Sequence, residues 1–199
     1  MDELIPPLLY HDDIIKREPE IDTLRTAYQL IRTDVPLARD KLISLSKIGS
    51  IMAMLYLAES YGDTLDVKSA KYWYKNAYEA GSSLALLKLV FLIRRSGDYL
   101  QAETLLKAGV ARGDAPSFYS LGQIYHNNPI FRDKRGDARN LLEQAANMGQ
   151  LRAQALLARL LISGRYGVAE IPKGIRLFFS FVATAFKVAM NDPNDRRLW

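Results

Sequence analysis

With 199 residues, 49% of them apolar and 25% charged, the chain suits one domain or one elongated array with a sizeable core. It has no cysteine, which excludes a disulfide framework, a thiolate zinc site and a cysteine nucleophile. The formal net charge of +5 hides an asymmetry: residues 1–66 carry 12 acidic and 7 basic side chains, and residues 67–199 carry 10 and 20. A basic body of this kind attracts phosphates, an acidic protein or an anionic membrane surface. The alternative is that the acidic head lies along the basic body of the same or a second chain.

The first stretch, MDELIPPLLYHDDIIKREPE, begins acidic and lacks a long apolar run, so it does not read as a secretory signal. Pro6, Pro7 and Pro19 bracket irregular chain, and a capping helix is expected from about Glu20 to Arg32. From Asp34 onward the sequence repeats. Gly49, Gly81, Gly113 and Gly149 follow one another at spacings of 32, 32 and 36. Eleven residues before each stands Ala38, Ala70, Ala102 or Ala138, and seven before each stands Leu42, Tyr74, Leu106 or Leu142. Four after come Ala53, Ala85, Ser117 and Ala153, and eight after come Leu57, Leu89, Leu121 and Leu157.

Each unit therefore reads as two helices, with apolar stripes at helical spacing on both sides of the glycine. The glycine is the turn residue, free to take positive φ. Asp34, Asp66 and Asp98 stand four residues before the repeat alanine and read as N-caps. Lys134 fills that slot in the fourth unit, so Asp133 is the expected cap there. One hairpin cannot bury its stripes alone, whereas stacked hairpins can. The expected fold is all-α: a right-handed α/α superhelix, or solenoid, of about nine helices. It forms a single repeat domain over residues 1–199. Residues 1–33 are the N-terminal arm and capping helix, 34–171 four helix-turn-helix repeats, and 172–199 a C-terminal capping helix and tail. Gly174 takes the alanine slot of a fifth unit. The helix after Pro172 is expected to reach about Met190, with the polar, turn-rich NDPNDRRLW behind it. No stretch reaches the roughly 18 to 20 apolar residues of a spanning helix; IRLFFSFVATAFKVAM is broken by Arg176 and Lys187.

The column pattern resembles the Sel-one-like repeat, a relative of the tetratricopeptide repeat. The likeness is clearest at Ala70, Trp73, Tyr74, Ala77, Gly81, Ala85 and Leu89. It recurs at Ala138, Leu141, Leu142, Ala145, Ala146, Gly149, Ala153, Gln154, Leu157 and Ala158. SGRYGVAE, from Ser163 to Glu170, looks like the G-x-G-V loop of that family with one extra residue. The resemblance implies an adaptor or scaffold whose curved surface holds protein partners, without a cofactor. The absence of cysteine sets the chain apart from the secreted, disulfide-held members. Its C-terminal stretch is also similar to that of bacterial members associated with surface-polysaccharide synthesis.

No phosphate loop, nucleophile elbow or zinc-helix motif is present, and no enzyme activity is expected. His11, Asp12 and Asp13 form a superficially metal-like cluster, but three adjacent residues do not converge on one ion without a partner elsewhere. They read as a solvated acidic stretch, and no metal or cofactor is expected. His126, after Tyr125 at the end of a second helix, reads as a surface or capping residue.

Two surfaces are candidates for binding. On the first helices of the pairs, solvent-facing slots hold Arg39, Lys71, Lys75, Lys107 and Arg139. Stacking would align them in a basic strip on the concave face, with Tyr72 and Tyr78 beside it. The alternative is an ordinary solvated helix face. Trp73 and Tyr74 fall in recurring columns and read as packing residues. The second candidate is the terminal helix, where Leu177, Phe178, Phe179, Phe181, Phe186 and Met190 leave little polar surface. A helix apolar nearly all round must be covered on most sides. The fourth repeat can cover one side. A second copy of the chain, a membrane protein or the bilayer interface can cover the rest, with an isologous homodimer as the first expectation.

The expected function is thus a cytoplasmic bacterial scaffold that holds an unidentified protein partner in its groove and self-associates through its C-terminal helix. The alternative is an accessory protein at the cytoplasmic face of the inner membrane, docked to a membrane-protein machinery such as polysaccharide synthesis or export. Polyanion or nucleic-acid binding is the weakest reading: the basic residues are spread over many units and no recognition motif accompanies them.

Overall fold

The structure, a computed structural model, describes residues 8–191, and among them eleven α-helices and no strand. In chain order the helices are α1 (His11–Ile15), α2 (Ile21–Leu30), α3 (Val35–Lys47), α4 (Ile51–Asp63), α5 (Val67–Glu79) and α6 (Ser83–Arg95). They continue with α7 (Tyr99–Ala111), α8 (Ala115–Asn127), α9 (Arg135–Asn147), α10 (Leu151–Ile162) and α11 (Ile171–Asn191). Two 3₁₀ turns, Pro129–Lys134 and Val168–Glu170, precede α9 and α11. The chain divides at Asp114 and Ala115 into two compact units: α1 to α7 belong to unit 1, α8 to α11 to unit 2.

The repeat columns are the cores of these units. The alanines at 38, 70, 102 and 138 have no exposed surface, nor do Leu42, Leu106 and Leu142. The small residues Ala53, Ala85, Ser117 and Ala153 are likewise fully covered. Small side chains there let paired helices approach closely, and the leucines fill the space between. Gly49, Gly81, Gly113 and Gly149 all have positive φ, from 71° to 107°, where a Cβ is strained. Asp34, Asp66 and Asp98 each accept a hydrogen bond from the amide three residues on, at 3.1, 3.1 and 2.9 Å. These carboxylates satisfy donors that the helix itself leaves open.

The fourth cap differs from expectation. Lys134, not Asp133, is the N-cap of α9, and no side chain caps this helix. The 3₁₀ turn runs directly into α9, so residue 134 sits at φ −94° and ψ 8° rather than in the extended geometry a capping side chain needs. Asn128 instead starts the 3₁₀ turn by accepting from the Ile130 amide at 3.0 Å, and Phe131 is buried beneath it.

The N-terminal arm is more ordered than composition implies. Leu8 and Ile14 are buried, and α1 packs on α4. Leu9 lies across the turn between α5 and α6: its amide donates to the Gly81 carbonyl at 2.7 Å, and its carbonyl accepts from the Ser83 amide at 3.0 Å. Glu18 reaches the start of α4, accepting from the Ser50 hydroxyl and from the Met52 amide. Part of the acidic head is therefore bound to its own chain. The prolines at positions 6 and 7, and the tail beyond Asn191, lie outside the described residues. The terminal helix begins at Ile171 and ends at Asn191, close to its expected bounds.

Candidate binding grooves and the terminal helix

In unit 1, α5 and α7 rise on either side of α6 and leave a groove of about 460 Å³. Lys68, Lys71, Tyr72, Lys75 and Tyr78 line it from α5, because these positions fall on the face of α5 opposite the buried Ala70, Tyr74 and Ala77. Its floor is apolar, formed by Leu89 and Ile93 of α6 and Leu105 of α7. Lys71 Nζ donates to Ser96 Oγ at 3.2 Å, and Lys75 stands 3.6 Å from Glu79 in an exposed pair. Exposed pairs of that kind contribute little and exchange readily for a ligand carboxylate. Tyr72 is exposed and meets half-buried Trp73 edge to face at 5.2 Å. Burial pushes the Tyr74 phenol up, helped by Glu59 and Asp63, so it stays neutral within the core.

The other members of the expected strip are not among the residues that line this groove. Arg39 donates Nε to Ser60 Oγ at 3.0 Å, and Nη2 to the Ser60 carbonyl at 2.7 Å and to Thr64 Oγ1 at 3.0 Å. Its guanidinium also lies over the Tyr61 ring, 4.0 Å from the centroid. It ties α3 to the end of α4. Lys107 is exposed and pairs with Glu103 at 2.9 Å, outside the groove lining. Arg139 belongs to unit 2, where it meets Glu143 and Glu170, both at 3.1 Å, and covers the Tyr166 ring. The structure thus brings Lys71, Tyr72, Lys75 and Tyr78 together in one groove and adds Lys68, while Arg39 and Lys107 within unit 1, and Arg139 within unit 2, are held by partners of their own.

Unit 2 has a larger groove, about 680 Å³, between α8, α10 and α11. Arg152 and Arg159 line it from α10, Tyr119 and Gln123 from α8, and Phe178 from α11. Spacing along the first helices of the pairs does not single out these two arginines, because they lie on a second helix. Also in unit 2, Arg165 Nη1 stands 3.0 Å from His126 Nε2, so the neutral imidazole accepts from it. Burial first, then Arg165, Arg135 and Arg159, hold the His126 pKa below its ordinary value.

The terminal helix α11 packs on α10 through Gly174 and Val188, which are buried, with Leu177 and Phe181 half-buried beside them. Phe178, Phe179, Phe186 and Met190 remain exposed. No described helix is long and apolar enough to cross a membrane. Among the described residues, no three of His, Cys, Asp or Glu converge as metal ligands; His11, Asp12 and Asp13 project from α1 as exposed residues.

No family model matches the chain. Over 104 residues, 52% of its length, it is 34% identical to the Sel1-repeat-containing protein YjcO of Escherichia coli strain K12, and equally to the uncharacterized protein YjcO of Shigella flexneri. The chain spans 45% of the length of these curated relatives. Among solved structures it is similar to a Sel1 repeat protein from Oxalobacter formigenes, with TM-score 0.67 and 17% identity over 94% of this chain and 86% of that one. It is also similar to c5321, a protective antigen present in uropathogenic Escherichia coli strains that displays an SLR fold. There the TM-score is 0.65 at 17% identity, over 85% of this chain and 39% of that one. These likenesses show the fold: an all-α solenoid of the Sel1-repeat type.

Proposed function

We propose that the chain is a non-enzymatic scaffold that holds an acidic, partly apolar segment of a protein partner in the unit 1 groove. The carrying observation is the pairing of an apolar floor, Leu89, Ile93 and Leu105, with a wall of three lysines and two tyrosines. Apolar side chains of the segment would take the floor, and its carboxylates would exchange with Glu79 and Ser96 for the lysines. Tyr72 and Tyr78 supply rigid, amphipathic contact area at low entropic cost. The Sel1-repeat fold supports the reading, since stacked helix pairs present extended surfaces suited to protein segments.

A photo-crosslinking side chain at position 72 tests it in cells. Partners crosslinked by the otherwise wild-type chain should vanish when Lys68→Glu, Lys71→Glu and Lys75→Glu are combined, while the melting temperature holds. The same crosslinked species at the same yield in the triple variant refutes the groove.

A further inference from the structure

The unpartnered face of α11 has a chemistry of its own. At 3.6 residues per turn, Ile175, Phe178, Phe179, Val182, Phe186 and Met190 fall in one stripe, roughly 120° wide and about 22 Å long. All six are exposed, with Phe179 at 67%, Phe186 at 65% and Met190 at 71% of full accessibility. The stripe is separate from the face that packs on α10, which is centred on Gly174, Phe181 and Val188.

What borders this stripe identifies what covers it. On one side lies the unit 2 groove with Arg152 and Arg159, which Phe178 also lines. On the other side the helical spacing places Arg176 and Lys187. Neither α10 nor α11 contains a single carboxylate. An apolar, phenylalanine-rich stripe between two rows of cations matches a helix lying in the interfacial plane of an anionic bilayer. It does not match a second copy. Antiparallel pairing about Val182 would bring Arg176 close to Lys187, parallel pairing would set Arg176 beside itself, and no acid on α10 or α11 would offset either.

We propose that α11 and the adjoining arginines of α10 form a peripheral docking surface for anionic phospholipid, with the helix lying on the bilayer rather than crossing it. The phenylalanines enter the headgroup–acyl boundary, and Arg152, Arg159, Arg176 and Lys187 meet the phosphates. The surface lies in unit 2 and does not depend on the unit 1 groove.

Vesicle flotation with the full chain tests this. The chain should float with vesicles of phosphatidylcholine plus phosphatidylglycerol, stay behind with phosphatidylcholine alone, and dissociate as salt rises. Phe179→Ser with Phe186→Ser should weaken binding at least about tenfold. Arg152→Gln and Arg159→Gln should each weaken it about fivefold. All four side chains are exposed, so melting temperatures should hold, which keeps binding loss distinct from unfolding. Lys68→Gln, Lys71→Gln and Lys75→Gln together remove more charge, from unit 1; an equal loss there would make binding a general property of a basic chain and overturn the proposal. Equal binding to neutral vesicles, or none to anionic ones, also overturns it. So does a wild-type dimer by light scattering that Phe179→Ser and Phe186→Ser dissolve, because the stripe would then be covered by a second copy.

Discussion

Gly174 tests whether α11 is docked as described. It takes the slot that Ala38, Ala70, Ala102 and Ala138 occupy in the repeats, yet it leaves no room for a methyl group. A Cβ there would stand 2.7 Å from Leu161 Cβ and 2.9 Å from the Ile162 amide nitrogen. Neither atom is the tip of a flexible side chain, so α11 must lift from α10 by several tenths of an ångström. Overpacking of that kind costs about 1–3 kcal/mol. Opposing it, alanine is favoured over glycine inside a helix by roughly 0.5–1 kcal/mol. The steric term wins, and Gly174→Ala should lose about 1 kcal/mol, lowering the melting temperature by about 2–4 °C. Gly136, in α9, is the control: a Cβ there meets nothing within 4 Å, so Gly136→Ala should raise the melting temperature. Thermal unfolding followed by far-UV circular dichroism reads both. A Gly174→Ala protein that melts at or above wild type would refute the close crossing of α10 and α11.

Ser50→Ala removes a cap on the Ala53 amide, at 3.0 Å, and the hydroxyl that meets Glu18; it should cost about 1–2 kcal/mol in urea titration. Ile14→Ala, at a fully covered site, should cost about 2–4 kcal/mol if α1 is docked as described, and under about 0.5 kcal/mol if it is not. The His126 pKa is held below 6.5 by burial, then by Arg165, Arg135 and Arg159, so the unfolded state binds more protons in that range. Stability should therefore fall as pH drops below about 6.5 and level off once pH is below the folded value; His126→Gln should flatten that segment. Burial alone would raise the Glu143 pKa, but hydrogen bonds from Lys173 and Arg139 outweigh it and hold it below 4.5. Its stabilisation is present above about 4.5 and lost as pH falls through the folded value, and Glu143→Gln should remove that dependence.

The helix pairs were legible because the same signals recur in several copies. One glycine proves little, but four in register, each preceded by an alanine and followed by a small residue, leave one geometry. The aspartate caps were legible for the same reason, and the fourth failed where the column itself broke, at Lys134. A further column has less constant chemistry and shows its role only in the packing: Ser50, Ser82 and Asp114 each directly follow a repeat glycine. The first two cap second helices, and Asp114 accepts from the Ser83 hydroxyl at 2.6 Å. The fate of Arg39 was not legible, because its slot faces solvent on α3 alone and only the end of α4 supplies Ser60, Tyr61 and Thr64. The same limit hid the setting of Arg152 and Arg159, which depends on where α11 crosses. Side chains that answer to a neighbouring helix need the packing, whereas side chains that answer to their own helix can be read from spacing.

The contact of Leu9 with the α5–α6 turn bears on the order of folding. Most helix packing in unit 1 joins elements adjacent in sequence, so each pair can form as soon as its residues exist. The Leu9 bridge instead joins positions 9 and 82, and half of its scaffold is the turn at Gly81. It must wait for the second pair, and it closes most of unit 1 into one loop whose entropy is recovered only then. A repeat array that could fray pair by pair from its start is thereby made to open its first two pairs as one cooperative block.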